Sequence, residues 1–286
     1  MAASSAPTIA IAFGGGGARG LAHIHVIEAM DELGLRPTLI TGTSIGSIMG
    51  AGWAAGMSGR EIRDFVLDTV GTPREVLNRL WSLRPSSLKD VMANGFRIGQ
   101  FNLEKILHAF LPPGLPQTFE ELKIPLGVMV TDYYGQQEMM VDQGPLVPAL
   151  AASAALPAVF MPVRLGGRVM IDGGIFNPVP FDHLVGKADI TVGIDVVGGP
   201  EGEDHQVPSR LDSLFGASQL MMQSIIRQKL KTTPPDIFMR PNVHRFKVLE
   251  FLRAAEVLEV SAGFKDDFKR ALEAALESRL RQANSV

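Results

Sequence analysis

Three short stretches of the chain carry the residue types that acyl-transfer chemistry needs. The first is Gly42-Thr43-Ser44-Ile45-Gly46, which matches G-x-S-x-G. In that pattern a serine sits at a tight turn from strand to helix, so its flanking residues must be small. The hydroxyl then projects from the turn, and the helix N-terminus aims free N–H groups at developing negative charge. The pentapeptide alone also fits an ordinary strand–turn–helix corner with a capping serine.

The second stretch is Gly15-Gly16-Gly17-Ala18-Arg19-Gly20. It fits G-x-G-x-x-G, the fingerprint of a dinucleotide-binding loop. That use needs a carboxylate at the end of the following strand to hold a ribose, and the chain has Thr41-Gly42-Thr43 there. The other use of such a loop is an oxyanion hole, because consecutive glycines let backbone N–H groups approach an acyl oxygen. Arg19 is expected to fix the loop shape or to orient an anionic head group; its plainer reading is a surface charge at a helix start. The third stretch is Asp172-Gly173-Gly174, a carboxylate at a strand end before two glycines. By itself it is an ordinary Asp-Gly turn.

These residues need elements to bring them together. Ile9 to Phe13 reads as a buried strand that feeds the glycines. Thr38 to Thr41 reads as a second strand that breaks at Gly42, with a helix from Ile45 to Ala55. Leu126 to Thr131, Glu138 to Val141, Val159 to Leu165, Arg168 to Ile171 and Thr191 to Val197 read as further strands. Ile237 to Met239 reads as the last one. Gly166-Gly167 is a hairpin signal. A helix is expected from Leu146 to Ala155 and another from Phe264 to Leu280. Ser58 with Glu61, and Thr72 with Glu75, have the spacing of capping boxes. Asn102 is placed to cap a short helix. From Trp81 to Gly99 the apolar residues lack a period, which fits a lid or a loop-rich segment. Short apolar runs alternating with helical periods imply an α/β fold.

The composition narrows the function. The 286 residues include 46% apolar and 20% charged types, an ordinary globular balance. A net charge of -3 and no basic patch argue against a nucleic-acid partner. With no cysteine, thiolate metal sites and cysteine nucleophiles are excluded. Met1 to Pro7 lacks the basic start of a signal peptide, and no apolar run reaches the ~18 residues of a membrane span. A cytoplasmic protein is expected, able to visit a membrane surface peripherally. Met221, Met222, Ile225, Ile226 and Leu230 recur at helical spacing and fit either an interfacial face or core packing.

Taken in order, the glycine loop, G-x-S-x-G and D-G-G resemble the patatin-like phospholipases. The segment Ala152 to Val163 and Asn177-Pro178-Val179-Pro180 also look like that family, as do Pro235-Asp236-Ile237 and Arg253-Ala254-Ala255-Glu256 near the end. Gly14 stands where plant patatins carry an aspartate. The resemblance implies a three-layer α/β/α sandwich with a mostly parallel central sheet. It implies one domain over residues 1–286, with a core about 8–200 and a helical extension about 208–286. It also implies a lipid carboxylic ester hydrolase using Ser44 as nucleophile and Asp172 as its only catalytic partner. Gly15, Gly16, Gly17 and Arg19 would form the oxyanion hole, supported by Gly20, Gly42, Gly46, Gly173 and Gly174. No metal or cofactor is needed. The expected partner is a phospholipid, lysophospholipid or other acyl ester; oligomeric state is not legible. Three alternatives stay open: a silent lipid-binding regulator, an amidase, and a triad using His183, His205 or His244. His23 and His25, just past the glycine loop, are expected to pack or hydrogen-bond.

Overall fold

Strand β1 (Ile9–Phe13) is buried along its whole length because it is covered on both faces. Ile9, Ile11 and Phe13 enter one hydrophobic cluster, while Ala10 and Ala12 enter another. That alternation is the period-2 signature of a strand inside a three-layer protein. This computed structural model describes residues 7–74, 76, 103–203, 205 and 207–283.

Parallel pairing joins β1 to β2 (Leu39–Thr43) and to β7 (Ile190–Ile194), β2 to β3 (Leu126–Asp132), and β7 to β8 (Ile237–Met239). Three antiparallel strands complete the sheet at the β3 side: β4 (Gln137–Val141), β5 (Val163–Leu165) and β6 (Arg168–Asp172). The expected mostly parallel sheet is therefore present, with an antiparallel edge.

The register at β3 decides where the site forms. β4 runs beside Val128 to Asp132. β2 pairs with Leu126 to Met129 through its Ile40 to Thr43, and β6 pairs with Val130 to Asp132. A strand has two edges, so β2 and β6 must lie end to end along the same one. The tips of both, Thr43 and Asp172, thus meet opposite Met129 and Val130.

Helices cover both faces. On the larger cluster pack α1 (His23–Glu32), α2 (Ile45–Ala54), α3 (Gly59–Val70), α4 (Leu103–Phe110) and α5 (Leu146–Ser153), followed by α7 (Ala254–Val260) and α8 (Phe264–Ala283). The other face is covered by α6 (Arg210–Thr232) and a 3-10 turn at Phe181–Leu184. Ser58 and Glu61 form the expected capping box on α3. Glu75, Asn102 and the segment 81–99 lie outside the described residues. β8 extends the sheet and α8 lies against α1, so these two late elements are built onto the core.

Several boundaries differ from the sequence reading. Six residues beginning at Gly17 form a 3-10 turn before α1. The strand expected from Val159 begins only at Val163, since Pro157 and Pro162 flank turns. β7 stops at Ile194 because the Asp195 carboxylate folds back to accept the Val197 N–H at 2.9 Å.

Candidate active site

Ser44 occupies the elbow between β2 and α2 with φ 53° and ψ -125°. A non-glycine residue there is strained by about 1–3 kcal/mol and persists only when its surroundings over-determine it. Four contacts do so. The Ser44 N–H donates to Ser153 Oγ on α5 at 2.8 Å, and Ser47 Oγ donates back to the Ser44 carbonyl at 2.6 Å. A Cβ on Gly42 would lie 2.6 Å from the Ser47 backbone, and one on Gly46 would overlap the Phe13 carbonyl. Both flanking glycines are thus required by close backbone approach.

Asp172, the last residue of β6, is buried. Its N–H donates to the Ala155 carbonyl at 3.1 Å and its carbonyl accepts from Thr131 Oγ1 at 2.9 Å. Those bonds fix the backbone and leave the carboxyl to face the elbow. Burial pushes the carboxyl up from 3.8 to about 6. The Gly174 N–H donates to it at 2.7 Å, and the neighbouring Ser44 hydroxyl also favours the ionised form; both offset part of that rise. Gly173 sits against the Met129 carbonyl, where a side chain would not fit.

Among the described residues, the carboxyl's partners include no histidine. His183 lies 3.5 Å from Glu138, and His244 lies 3.4 Å from Glu201. His205 is exposed on a loop.

The glycine loop follows β1 and approaches the elbow directly. A Cβ on Gly15 would lie 3.3 Å from the Ser44 Cβ, and Gly20 packs against the Ile45 side chain. One expectation needs correction here. The Gly15 N–H is already given to the Pro178 carbonyl at 2.9 Å, so it does not serve as an oxyanion donor. Among the described residues the N–H groups of Gly16 and Gly17 have no backbone acceptor. Gly17 takes φ 61°, and a side chain there would collide with the Val248 carbonyl.

Arg19 is a second correction as an oxyanion donor, while its expected role in fixing the loop shape is met: it is almost wholly buried and not a surface charge. Its Nε donates to the Val196 carbonyl and its Nη1 to the Phe246 carbonyl, both at 3.0 Å. The guanidinium staples the glycine loop to the chain leaving β7 and to the segment before α7. Burial pulls its pKa down to about 10, partly offset by Asp195.

One supporting residue escaped the sequence reading of the site: Ser153 was expected only as part of a helix and of a segment resembling the family. His23 was expected to pack or hydrogen-bond, and it does both: its Nε2 donates to the Gly14 carbonyl at 2.8 Å. Burial drives its pKa down to about 4, so it is neutral, and its ring lies 4.7 Å from that of Phe13. His25 bonds the Leu258 carbonyl and Ser261.

Met222 on α6 approaches Gly174, 3.2 Å from where a Cβ would stand, so this helix roofs the Asp172 turn. Its apolar residues divide: Ile226, Met222 and Leu230 pack inward, while Met221 is exposed. Lys229 on the same helix contacts Asp182 at 2.8 Å and Glu138 at 3.5 Å. Glu138, Asp182 and His183 have donor atoms within 4.8 Å of one another, the one cation-type cluster among the described residues. The Lys229 ammonium supplies the positive charge there.

A strained serine at a strand–helix elbow, beside a buried carboxyl and flanked by a glycine loop, makes a candidate serine-carboxylate site on an α/β fold. The sequence model of the patatin-like phospholipase family matches residues 11–185, and the chain belongs to that family. An uncharacterised NTE family protein of Mycobacterium bovis is 36% identical over 200 residues, 70% of this chain and 52% of its own length. The lysophospholipase nte1 of Aspergillus fumigatus is 26% identical over 92% of this chain and 18% of its own. The chain therefore spans about half of the mycobacterial relative and a smaller share of the fungal one. Among solved structures, VipD from Legionella pneumophila aligns over 93% of this chain and 68% of its own, at 15% identity and a TM-score of 0.49.

Proposed function

We propose that the protein is a serine acyl hydrolase that cleaves lipid carboxylic esters through a Ser44–Asp172 dyad. The observation that carries this reading is the buried Asp172 carboxyl, raised to about 6, at the junction where the tip of β6 meets the strained Ser44 elbow after β2. A carboxylate near its ordinary 3.8 is too weak a base at neutral pH; one near 6 is ionised there yet far more basic.

The cycle runs as follows. Ionised Asp172 takes the Ser44 proton as Oγ attacks the acyl carbonyl. The oxyanion is held by the N–H groups of Gly16 and Gly17, with the α2 N-terminus beside it. Asp172 returns the proton to the leaving alcohol or lysolipid. Water then attacks the acyl-enzyme, with Asp172 again as base. Each step uses only the chain's own groups.

The name of the fungal relative, a lysophospholipase, and the family's name favour a lipid ester over an amide. Among the described residues no helix is long and apolar enough to cross a membrane, and the substrate is expected to be met at a lipid surface. The test compares wild type with Ser44→Ala on p-nitrophenyl esters of graded chain length and on one phospholipid. Turnover that vanishes in Ser44→Ala supports a serine hydrolase with Ser44 as nucleophile. Two folded and equally inactive proteins would instead favour a silent lipid binder, or an enzyme that needs an interface or lid partner absent from the assay.

A further inference from the structure

Asp195 follows β7 directly and is buried, although no step of the cycle above uses it. β7 runs beside β1 with Ile194 opposite Phe13, so Asp195 stands next to the start of the glycine loop. Its Oδ1 accepts the Val197 N–H at 2.9 Å, and its Oδ2 accepts Arg240 Nε at 2.6 Å and Gln223 Nε2 at 3.3 Å. Gln223 also donates to the Gly198 carbonyl at 3.2 Å and accepts Arg240 Nη2 at 3.0 Å. Gln219, one turn earlier on α6, donates to the Val197 carbonyl at 3.2 Å. The bend from Asp195 to Gly198 is thus gripped by α6 and by the residue after β8.

The glycine loop rests on this bend. Arg19 Nε donates to the Val196 carbonyl at 3.0 Å, and a Cβ on Gly16 would overlap the same oxygen. A Cβ on Gly198 would lie 3.0 Å from the Arg19 guanidinium carbon. The Gly14 N–H donates to the Ile194 carbonyl at 2.9 Å. A shift of Val196 therefore shifts the backbone of Gly16. Charge adds to contact. Arg19 is buried, and Asp195 is the leading charge that holds its guanidinium ionised against that burial. Ending a strand needs no charge, since an asparagine or serine there also accepts an N–H two residues on. A buried carboxylate is costly unless cations and donors surround it. What it adds at this place is one negative charge facing both Arg19 and Arg240.

We infer that Asp195 is a positioning residue for the oxyanion loop, acting through Val196 and Arg19 to fix where the Gly16 and Gly17 N–H groups point. The inference deepens the hydrolase reading above and rests on it.

The test replaces Asp195 by asparagine in the full chain. Asparagine keeps an oxygen for the Val197 N–H but removes the charge facing Arg19 and Arg240. Hydrogen exchange followed by NMR reads the loop without reference to activity. The bonded N–H groups of Gly14, Gly15 and Ala18 are expected to exchange ~10-fold faster, with β2 and β3 protected as in wild type. On a soluble ester kcat should fall ~10–100-fold with KM nearly constant. A trifluoromethyl ketone forms an adduct with Ser44 whose oxyanion lies in the same hole. Its affinity should weaken by the factor that kcat/KM loses. A merely structural loss lowers the folded fraction and leaves that affinity unchanged. Arg19→Lys should add little to Asp195→Asn, because both act through one loop. Arg240→Gln, at a half-exposed position, is the milder second variant and should loosen the same amides to a smaller degree. Loop exchange like wild type in both variants overturns the inference. So does faster exchange spread evenly over the sheet, or an inhibitor affinity that stays constant while kcat falls. Absence of ester turnover in wild type would remove the hydrolase reading by itself; the exchange comparison needs no substrate and still decides for Asp195.

Discussion

Replacing Asp172 by asparagine separates what the carboxyl does for catalysis from what it costs the fold. Its folded pKa is raised, from 3.8 to about 6, with burial as the largest cause. The folded state therefore holds the proton more tightly than the unfolded chain. In the window between those two values the folded protein binds more protons, so stability falls as pH rises through it. Above pH ~6 the ionised carboxyl carries the full penalty, about 3 kcal/mol at 1.36 kcal/mol per pKa unit. Below pH ~4 the group is protonated in both states and the penalty is absent. Asparagine keeps an oxygen for the Gly174 N–H, bonded at 2.7 Å in the wild type, but cannot ionise. Asp172→Asn should therefore be the more stable protein at neutral pH, by roughly 5–10 °C in melting temperature, with the gap closing toward pH ~4. Its esterase activity should fall by ~10²–10⁴-fold, the scale of a lost general base. Thermal unfolding of both proteins across that pH range measures the first effect. A variant less stable than wild type at neutral pH, or a gap independent of pH, would refute the argument that the carboxyl is held against its own solvation.

Other perturbations probe the remaining parts of the site. The acid limb of kcat/KM on a soluble ester should titrate near the Asp172 value of about 6; a limb near the ordinary aspartate value would remove Asp172 as base. Ser153→Ala orphans the Ser44 N–H, at a cost of ~1–3 kcal/mol, and steady-state kinetics should show it in kcat with KM nearly constant. Arg19→Lys keeps the charge but cannot span the Val196 and Phe246 carbonyls together. It should lower urea stability by ~1–3 kcal/mol and slow turnover; wild-type behaviour would mean that charge alone matters there. Gly46→Ala drives a methyl into the Phe13 carbonyl. Soluble expression and unfolding should show a loss of ~3 kcal/mol or more, beyond ordinary overpacking.

The fold and the positions of Ser44 and Asp172 were legible because local signals agreed there. An apolar run into glycines gave β1 and its loop, and G-x-S-x-G gave the elbow. What stayed hidden depends on contacts distant in sequence. Arg19 looks like a surface cation until Val196 and Phe246 are folded around it. Nothing near Gly15 announces that its N–H is claimed by Pro178. Ser153 carries no motif of its own and becomes a partner of Ser44 only when α5 packs beside the sheet. The length of α6 was underread because its first two turns are exposed, Leu211 and Leu214 included, so no buried apolar face marks where it begins. Strand ends shifted where proline, or a carboxylate such as Asp195, captured the backbone locally.

The shared edge of β3 also makes the Ser44–Asp172 distance a quantised property. β2 and β6 arrive from opposite directions and are measured against one backbone, like two rules butted on a common scale. Chain inserted between Asp132 and Arg168 changes the route to β6 without changing where it stops. A single residue deleted inside β6 is different: it moves the carboxyl by ~3.4 Å along the strand and turns it to the opposite face. No side-chain adjustment recovers that. Variation in this lineage is thus expected to collect in the connections, with strand length on either side of the junction held invariant.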